Sequence, residues 1–337
     1  MSAPSLEDLL PRPTGVTGWP WTKASALAPR FPPDTDSCLT ITVVTPSLNQ
    51  GRFLEETIRS VLLQGYPKLE YMVIDGGSTD GSADVIARYS PWLSYSVSEP
   101  DHGQSHAINK GFARASGEIV AWLNSDDRYE PGALHEVGRF FDRHRDTDWL
   151  AGPMWTMDAA GRRVGELARA DPPRHWHRWA VGFEGCLQPS MFWRRRVVER
   201  AGPLREDLHW AFDVEFVVRL ARLGYRVKTT PVPLASFRLH GDAKSATPER
   251  FDRDRDIIVD GLLPTVGVWE RFRLRRMQRY YRACQTRARA LEIFHTGDRG
   301  RGLRLLLGEM LRTPRLCFNR ATLRALLELC TGISPPT

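Results

Sequence analysis

The chain is short of cysteine, of lysine and of long apolar runs, and each shortage removes a class. Its five cysteines, Cys38, Cys186, Cys284, Cys317 and Cys330, are odd in number and form no CxxC pair or Cys/His cluster. A disulfide framework and a structural zinc site are therefore not expected, and a reducing compartment is. No uninterrupted apolar run approaches the ~20 residues that a membrane span needs. The stretch Met1–Pro13 is acidic and proline-broken, without the basic and apolar regions of a signal peptide. The expected location is cytoplasmic, with peripheral attachment to the inner membrane face as one arrangement. There is no GxGxxG dinucleotide loop and no internal repeat.

What is present suits a folded protein. Of 337 residues, 42% are hydrophobic and 10% aromatic, enough to build a core. The net charge of +7 leans toward anionic partners. Because the cationic residues are almost all arginine, a genomic codon bias accounts for part of that lean. Residues 1–38 are rich in proline and read as an extended arm, with Trp19 and Trp21 as anchors onto the core.

From residue 39 the pattern alternates. LTITVVT (39–45) is a buried strand; 52–64 has helical spacing at Phe53, Thr57, Ile58, Val61 and Leu62. Strands follow at 70–74, 93–97 and 118–123, with helices at 79–89 and 102–115 between them. Such alternation specifies an α/β fold, a mostly parallel sheet flanked by helices, with ligands at the carboxyl ends of the strands. The polar clusters Thr45-Pro46-Ser47, Asp75-Gly76-Gly77 and Asn124-Ser125-Asp126-Asp127 fall there. Further on, 149–157 and 163–167 read as strands, 212–223 as a helix and 227–230 as a strand. After Lys244 the chain reads as helical and arginine-rich.

The segments TPSLNQGRFLEETIRSVLLQ, YMVIDGGSTDGS, SEPDHGQSHAINKGFARASGEIVAWLNSDD, QPSMFWRRRVVERAGPLRE and FRLHGDAKS resemble the family-2 glycosyltransferases of the GT-A fold. The resemblance runs from about Ile41 to Ser245 and rests on the order and spacing of the segments together. It implies a GT-A catalytic domain at 39–248, with a nucleotide-sugar half (39–130) and an acceptor half (131–248). A helical, basic extension follows at 249–337. It implies transfer of a sugar from a nucleoside-diphosphate donor to a hydroxyl of a glycan or lipid-linked glycan, with inversion, in surface polysaccharide or glycolipid assembly.

By this resemblance Thr45, Pro46, Asn49 and Gly76 line the donor, and Asp75 reads the nucleoside. The same Asp75 loop also reads as a simple turn in which Ser78 or Asp80 caps the next helix. The family's Asp-x-Asp loop appears here as Asn124-Ser125-Asp126. A divalent cation, Mn2+ or Mg2+, falls to Asp126 with help from His240, while Asn124 and Ser125 face the ribose or sugar; the loop also reads as an Asx turn. Asp101, Asn109 and Lys110 lie beside the donor sugar, Asp101 doubling as a helix cap. Arg238 and Lys244 are candidates to neutralise the leaving group. Asp213 matches the general base that takes the acceptor proton, with Glu215 as runner-up; both also suit a helix N-terminus. Two other classes remain at this stage, a sugar nucleotidyltransferase and a non-catalytic nucleotide-sugar binder. Ser47–Arg52 is not the basic, glycine-rich loop the first of these needs.

Residues 271–289 hold eight arginines and no acid, interleaved with Phe272, Leu274, Met277, Tyr280 and Tyr281. That surface suits anionic lipid headgroups or is a solvated helix face. No nucleic-acid motif accompanies the charge.

Overall fold

The computed structural model describes residues 4–9, 11, 13–25, 38–168, 176–182, 188–244, 247–314, 316 and 319–331. Residues 26–37 of the arm, Cys186, Cys317 and Ser245 lie outside them. The chain divides into two compact units, one of residues 1–176 and 186–254, the other of 177–185 and 255–337.

The first unit begins with β1 (Ile41–Ser47), α1 (Gly51–Leu62), β2 (Leu69–Asp75), α2 (Ser82–Tyr89), β3 (Tyr95–Ser98), α3 (Gln104–Phe112) and β4 (Ile119–Trp122). This is the expected alternation. It continues through β5 (Arg128–Tyr129), α4 (Ala133–Arg143), β6 (Trp149–Ala151), β7 (Met154–Met157) and β8 (Arg163–Ala168). After α5 (Trp176–Val181), which from His177 on belongs to the second unit, come β9 (Met191–Arg194), α6 (Arg195–Ala201), α7 (Phe212–Arg222), β10 (Val227–Thr229) and β11 (Ala235–Arg238). Every residue of β1 is buried, as the β-branched run requires of a central strand.

Two sheets result. The larger has seven strands in the order β10-β6-β9-β4-β1-β2-β3, and the smaller has four, β5-β11-β7-β8. The larger is parallel except at β9, which runs antiparallel to both β4 and β6. The run 149–157, expected as one strand, is split between the two sheets: Gly152-Pro153 interrupts it, and proline cannot donate to a ladder. β9 was not expected at all.

Aromatic packing fixes β9. Trp193 stacks on Trp122 of β4, with ring centroids 4.8 Å apart and planes 8° apart, and Phe216 of α7 meets Trp193 edge-on at 5.6 Å. Each such pair contributes about 0.5–1.5 kcal/mol beyond its area. The cluster pins α7 to the sheet and so places its N-terminus, which carries Asp213. The arm is held where expected: Trp19 Nε1 donates to the Tyr129 carbonyl at 2.8 Å, and the Arg59 guanidinium lies over Trp21.

The second unit is helical. It contains the end of α8 (Pro248–Leu262), then α9 (Val268–His295), α10 (Arg299–Arg312) and α11 (Arg320–Thr331). Ala290, Leu306 and Ala325 form its small core. Among the described residues no helix is long and apolar enough to cross a membrane.

Candidate functional site

The strand ends of β1, β2 and β4 converge as the alternation demands, and the side chains there divide into two groups. The first is closed. Asp75 is fully buried, and its carboxylate accepts from the Ser78 and Gly77 amides at 2.9 and 3.2 Å and from the hydroxyls of Ser78 at 2.5 Å and Ser98 at 2.6 Å. A carboxylate offers about four acceptor positions; three of these bonds fall on Oδ2 and one on Oδ1, so most of them are taken. Thr45 shares a buried hydrogen bond with the Tyr71 hydroxyl at 3.0 Å, and Pro46 is buried beside it. Asn49 takes the left-handed conformation, with φ 52°, and its side-chain oxygen accepts from Thr79 N–H at 2.9 Å. Asp80, the expected cap, bonds both to Ser82 at the start of α2 and to the amide of Gly51 at the start of α1.

The Asp101 loop leans on this group. A Cβ at Gly76 would stand 2.7 Å from the Asp101 carboxylate, so a side chain there would push Asp101 aside. Asp101 itself accepts from Gly103 N–H at 2.7 Å. Asn109 ties α3 to the 204–206 segment, donating to the Leu204 carbonyl and Glu206 and accepting from Leu204 N–H, each at 2.9 Å. Lys110 pairs with Glu99 at 2.7 Å, and that contact lowers the Glu99 pKa.

The loop after β4 is held by its backbone. Ser125 and Asp127 carbonyls accept from the buried Thr57 hydroxyl. Asn124 is engaged on both sides: its oxygen accepts from Gln104 at 2.6 Å and its amide donates to Asp127 at 3.2 Å and to Gln188 at 3.3 Å. Asp127 is fully buried and accepts from Arg238 N–H at 2.9 Å; burial, with the Asp126 charge beside it, pushes its carboxyl well above the usual range. Arg238, expected at the open face, is only 1% exposed. Its guanidinium donates to Glu56 at 2.8 Å, to the Asp126 carbonyl at 2.7 Å and to the Ala159 carbonyl at 3.1 Å. Glu56 also binds Arg128 at 2.7 Å. Nothing local in the sequence announces Glu56, because its partners lie in distant segments.

The second group is only partly enclosed: the Asp126 side chain is 21% exposed, and the His240 ring against it is 2% exposed. Asp126 meets His240, Oδ2 to Nε2, at 3.0 Å. Two neighbouring ligands about 2.1 Å from one octahedral ion stand about 3.0 Å apart, so the pair fits a divalent cation. Arg52 donates to His240 Nδ1 at 3.1 Å, which leaves the proton on Nε2. Ligation through Nε2 requires the Arg52 bond to give way, and Asp242, 2.7 Å from Arg52, is there to keep it. His102, His106 and Glu206 also gather within 4.8 Å. Those two rings stack at 4.7 Å, and His106 Nδ1 already accepts the His102 amide, which leaves Nε2 as that ring's nitrogen for an ion.

Lys244 joins the second group. Its ammonium donates to the His209 carbonyl at 2.8 Å and lies near the Phe212 ring. Although much of the residue's surface is open, desolvation of the ammonium lowers its pKa, opposed by the carboxylates of Asp213, Asp126, Asp254 and Asp101. The charges of Asp213, Asp126 and Asp101, from three separate stretches of chain, thus act on one cation. The buried Asp254, which the sequence did not reveal, accepts from the amides of Trp210 and Ala211 at 2.7 and 3.1 Å and so fixes the entry to α7. Glu215, two residues past Asp213, is paired instead with Arg219 at 3.0 Å; its pKa is raised because burial outweighs that contact.

Comparison with known proteins places this architecture. An uncharacterized glycosyltransferase of Nostoc is 29% identical over 264 residues, covering 72% of this chain and 81% of that protein. A PGL/p-HBAD biosynthesis glycosyltransferase of Mycobacterium bovis is 30% identical over 181 residues, covering 52% of this chain and 68% of the other. Among solved structures, a mannosyltransferase of Pyrobaculum calidifontis, in complex with GDP-Man and Mn2+, superposes with a TM-score of 0.55 at 19% identity, covering 92% of this chain and 91% of that one. That likeness is one of fold, the GT-A arrangement of a parallel-rich sheet flanked by helices. The family model for glycosyl transferase family 2 matches residues 42–200. The chain is a family 2 glycosyltransferase.

Proposed function

We propose that this protein transfers a hexosyl group from a nucleoside-diphosphate sugar to an acceptor hydroxyl with inversion, in the assembly of a cell-surface glycan or glycolipid. The observation that carries the reading is the contact of Asp126 with His240 at 3.0 Å, with the charges of Asp126, Asp101 and Asp213 all acting on Lys244. A site for a dianionic diphosphate needs positive charge beside carboxylates that hold a cation and move a proton. The closed loops of Asp75 and Asn124 supply a rigid floor for the nucleoside, through backbone and through Thr45, Pro46, Asn49, Gly76 and Ser125.

Asp126 and His240 would hold Mn2+ or Mg2+, which supplies charge to the diphosphate oxygens. Lys244 is the cation of this chain placed for the same oxygens. Its lowered pKa reflects desolvation, which an arriving anion offsets. Asp101 accepts from donor sugar hydroxyls. Asp213 takes the proton of the acceptor hydroxyl as that oxygen bonds to the anomeric carbon. The bond to the diphosphate oxygen breaks on the opposite face, so the configuration inverts. Arg238, Asn109 and Asn124 serve by position: their polar groups hold the loops that present the reacting ones. The mycobacterial relative, named for PGL/p-HBAD biosynthesis, supports a cell-envelope acceptor.

The test is a panel of nucleotide sugars scored by release of nucleoside diphosphate, with and without chelator. Turnover with one donor, lost in excess chelator and restored by Mn2+ or Mg2+, is the expected result. Binding of donors without turnover would make the protein a nucleotide-sugar binder. Full turnover in excess chelator would remove the ion from Asp126 and His240.

A further inference from the structure

The arginine-rich helix α9 changes character along its length. At 3.6 residues per turn, positions 272, 276, 279, 283 and 290 lie on one stripe. In the second half of the helix that stripe is Ala283 and Ala290, both fully buried, and Ala290 packs into the core shared with Leu306 and Ala325. In the first half the same stripe is Phe272, Arg276 and Arg279, and it is open. Phe272 is 61% exposed, with Val268 at 74% and Trp269 at 85% beside it. Large apolar side chains this exposed, and this close together, mark a surface that another phase or partner covers.

The arginines are not equivalent, although the sequence counts them as one run. Arg275 pairs with Asp260 at 3.0 Å, Arg282 with Asp256, and Arg287 reaches Asn319 at 3.3 Å. These hold α9 within its own unit. Arg273, Arg276 and Arg279 are exposed and fall on the arc of Trp269 and Phe272.

We propose that the N-terminal turns of α9 are a docking face for an anionic lipid surface. Trp269 and Phe272 enter the boundary between headgroups and acyl chains, and Arg273, Arg276 and Arg279 pair with the lipid phosphates. The chemistry favours a bilayer over a folded partner. The face is the convex side of one helix, which a fluid surface accepts without a shaped groove. Amphipathic rings beside arginine match the bilayer's own order of apolar interior and anionic rim. This proposal stands independently of the donor and acceptor chemistry.

The experiment is co-sedimentation of the full chain with phosphatidylglycerol or phosphatidylcholine vesicles, at low and high salt. Wild type should bind the anionic vesicles and leave them as salt rises. The double variant Trp269→Ala/Phe272→Ala and the triple variant Arg273→Gln/Arg276→Gln/Arg279→Gln should each weaken binding at least about tenfold. Because all five side chains are exposed, both variants should keep the wild-type melting temperature. Arg275→Gln, which touches a pair inside the unit, should bind vesicles nearly as wild type does. Wild type left in the supernatant with anionic vesicles at low salt would overturn the proposal. So would loss of binding in the arginine variant with none in the aromatic one, because a polyanion such as RNA would satisfy that surface without a wedge.

Discussion

Asp75 is the last residue of β2 and Asp126 lies in the loop after β4, and the two carboxylates have opposite surroundings. Asp75 is closed: four donors from its own loop and from β3 occupy it, and it is fully buried. Asp126 is open: its backbone carbonyl is fixed by Arg238, its neighbour Asp127 takes the buried bonds, and its carboxylate is left to His240. One carboxylate organises a loop and the other is presented by one. The lesson is that a strand-end aspartate becomes available for chemistry only when other residues satisfy the backbone around it.

The sharpest test of this division uses substitutions that keep shape and remove charge. Asp213 accepts from Val214 N–H at 2.8 Å, and its charge acts on Lys244. Asp213→Asn should lower turnover by about 10²–10⁴-fold while leaving donor binding and the melting temperature intact. Glu215→Gln should keep most turnover, because Glu215 is paired with Arg219. If the two results are exchanged, the base is Glu215 and the assignment on α7 fails.

Next in size is the clamp behind Asp126. Arg238→Met removes one partner of a buried pair and leaves Glu56 with Arg128 alone. Breaking such a pair costs about 3–5 kcal/mol, read as a lower urea midpoint. Asp75→Asn turns an amide donor toward groups that are themselves donors, a loss of about 1–3 kcal/mol. Stability unchanged in either variant would mean that the corresponding bonds are not what holds its loop. A catalytic defect in Asp75→Asn without any stability loss would move Asp75 to direct work on the nucleoside.

How much of this was legible depends on distance along the chain. The strands and helices from β1 to β4 could be read because each is a local run with its own period. The Asp75 turn and the Asp80 cap lie within a few residues of their partners, so both readings were available. β9 could not be read, because Met191–Arg194 becomes a strand only through Trp193 meeting Trp122, from a segment far upstream. The burial of Arg238, a candidate to neutralise the leaving group, could not be read for the same reason: its partner Glu56 lies far upstream, in α1. The run Arg271–Arg289 shows the converse. Its composition was plain, but which arginines are paired depends on Asp256 and Asp260 of another helix.

The smallest expected effect concerns Glu215 and pH. Burial raises its folded pKa above the ordinary 4.5, with Arg219 acting in the other direction. The folded protein therefore keeps a proton that the unfolded chain gives up as pH climbs past 4.5. This residue's contribution to stability is present in full below that value and falls as pH rises through the folded pKa. Glu215→Gln cannot titrate, so it lacks the fall. Urea unfolding of both proteins, from about pH 4 to about pH 7, should show the difference between them moving in favour of the glutamine variant. Comparing the two at each pH cancels the carboxylates they share. A difference that moves the other way would mean that Arg219 outweighs burial, that Glu215 is a well-satisfied ion pair, and that the paired side of α7 is as settled as Asp75.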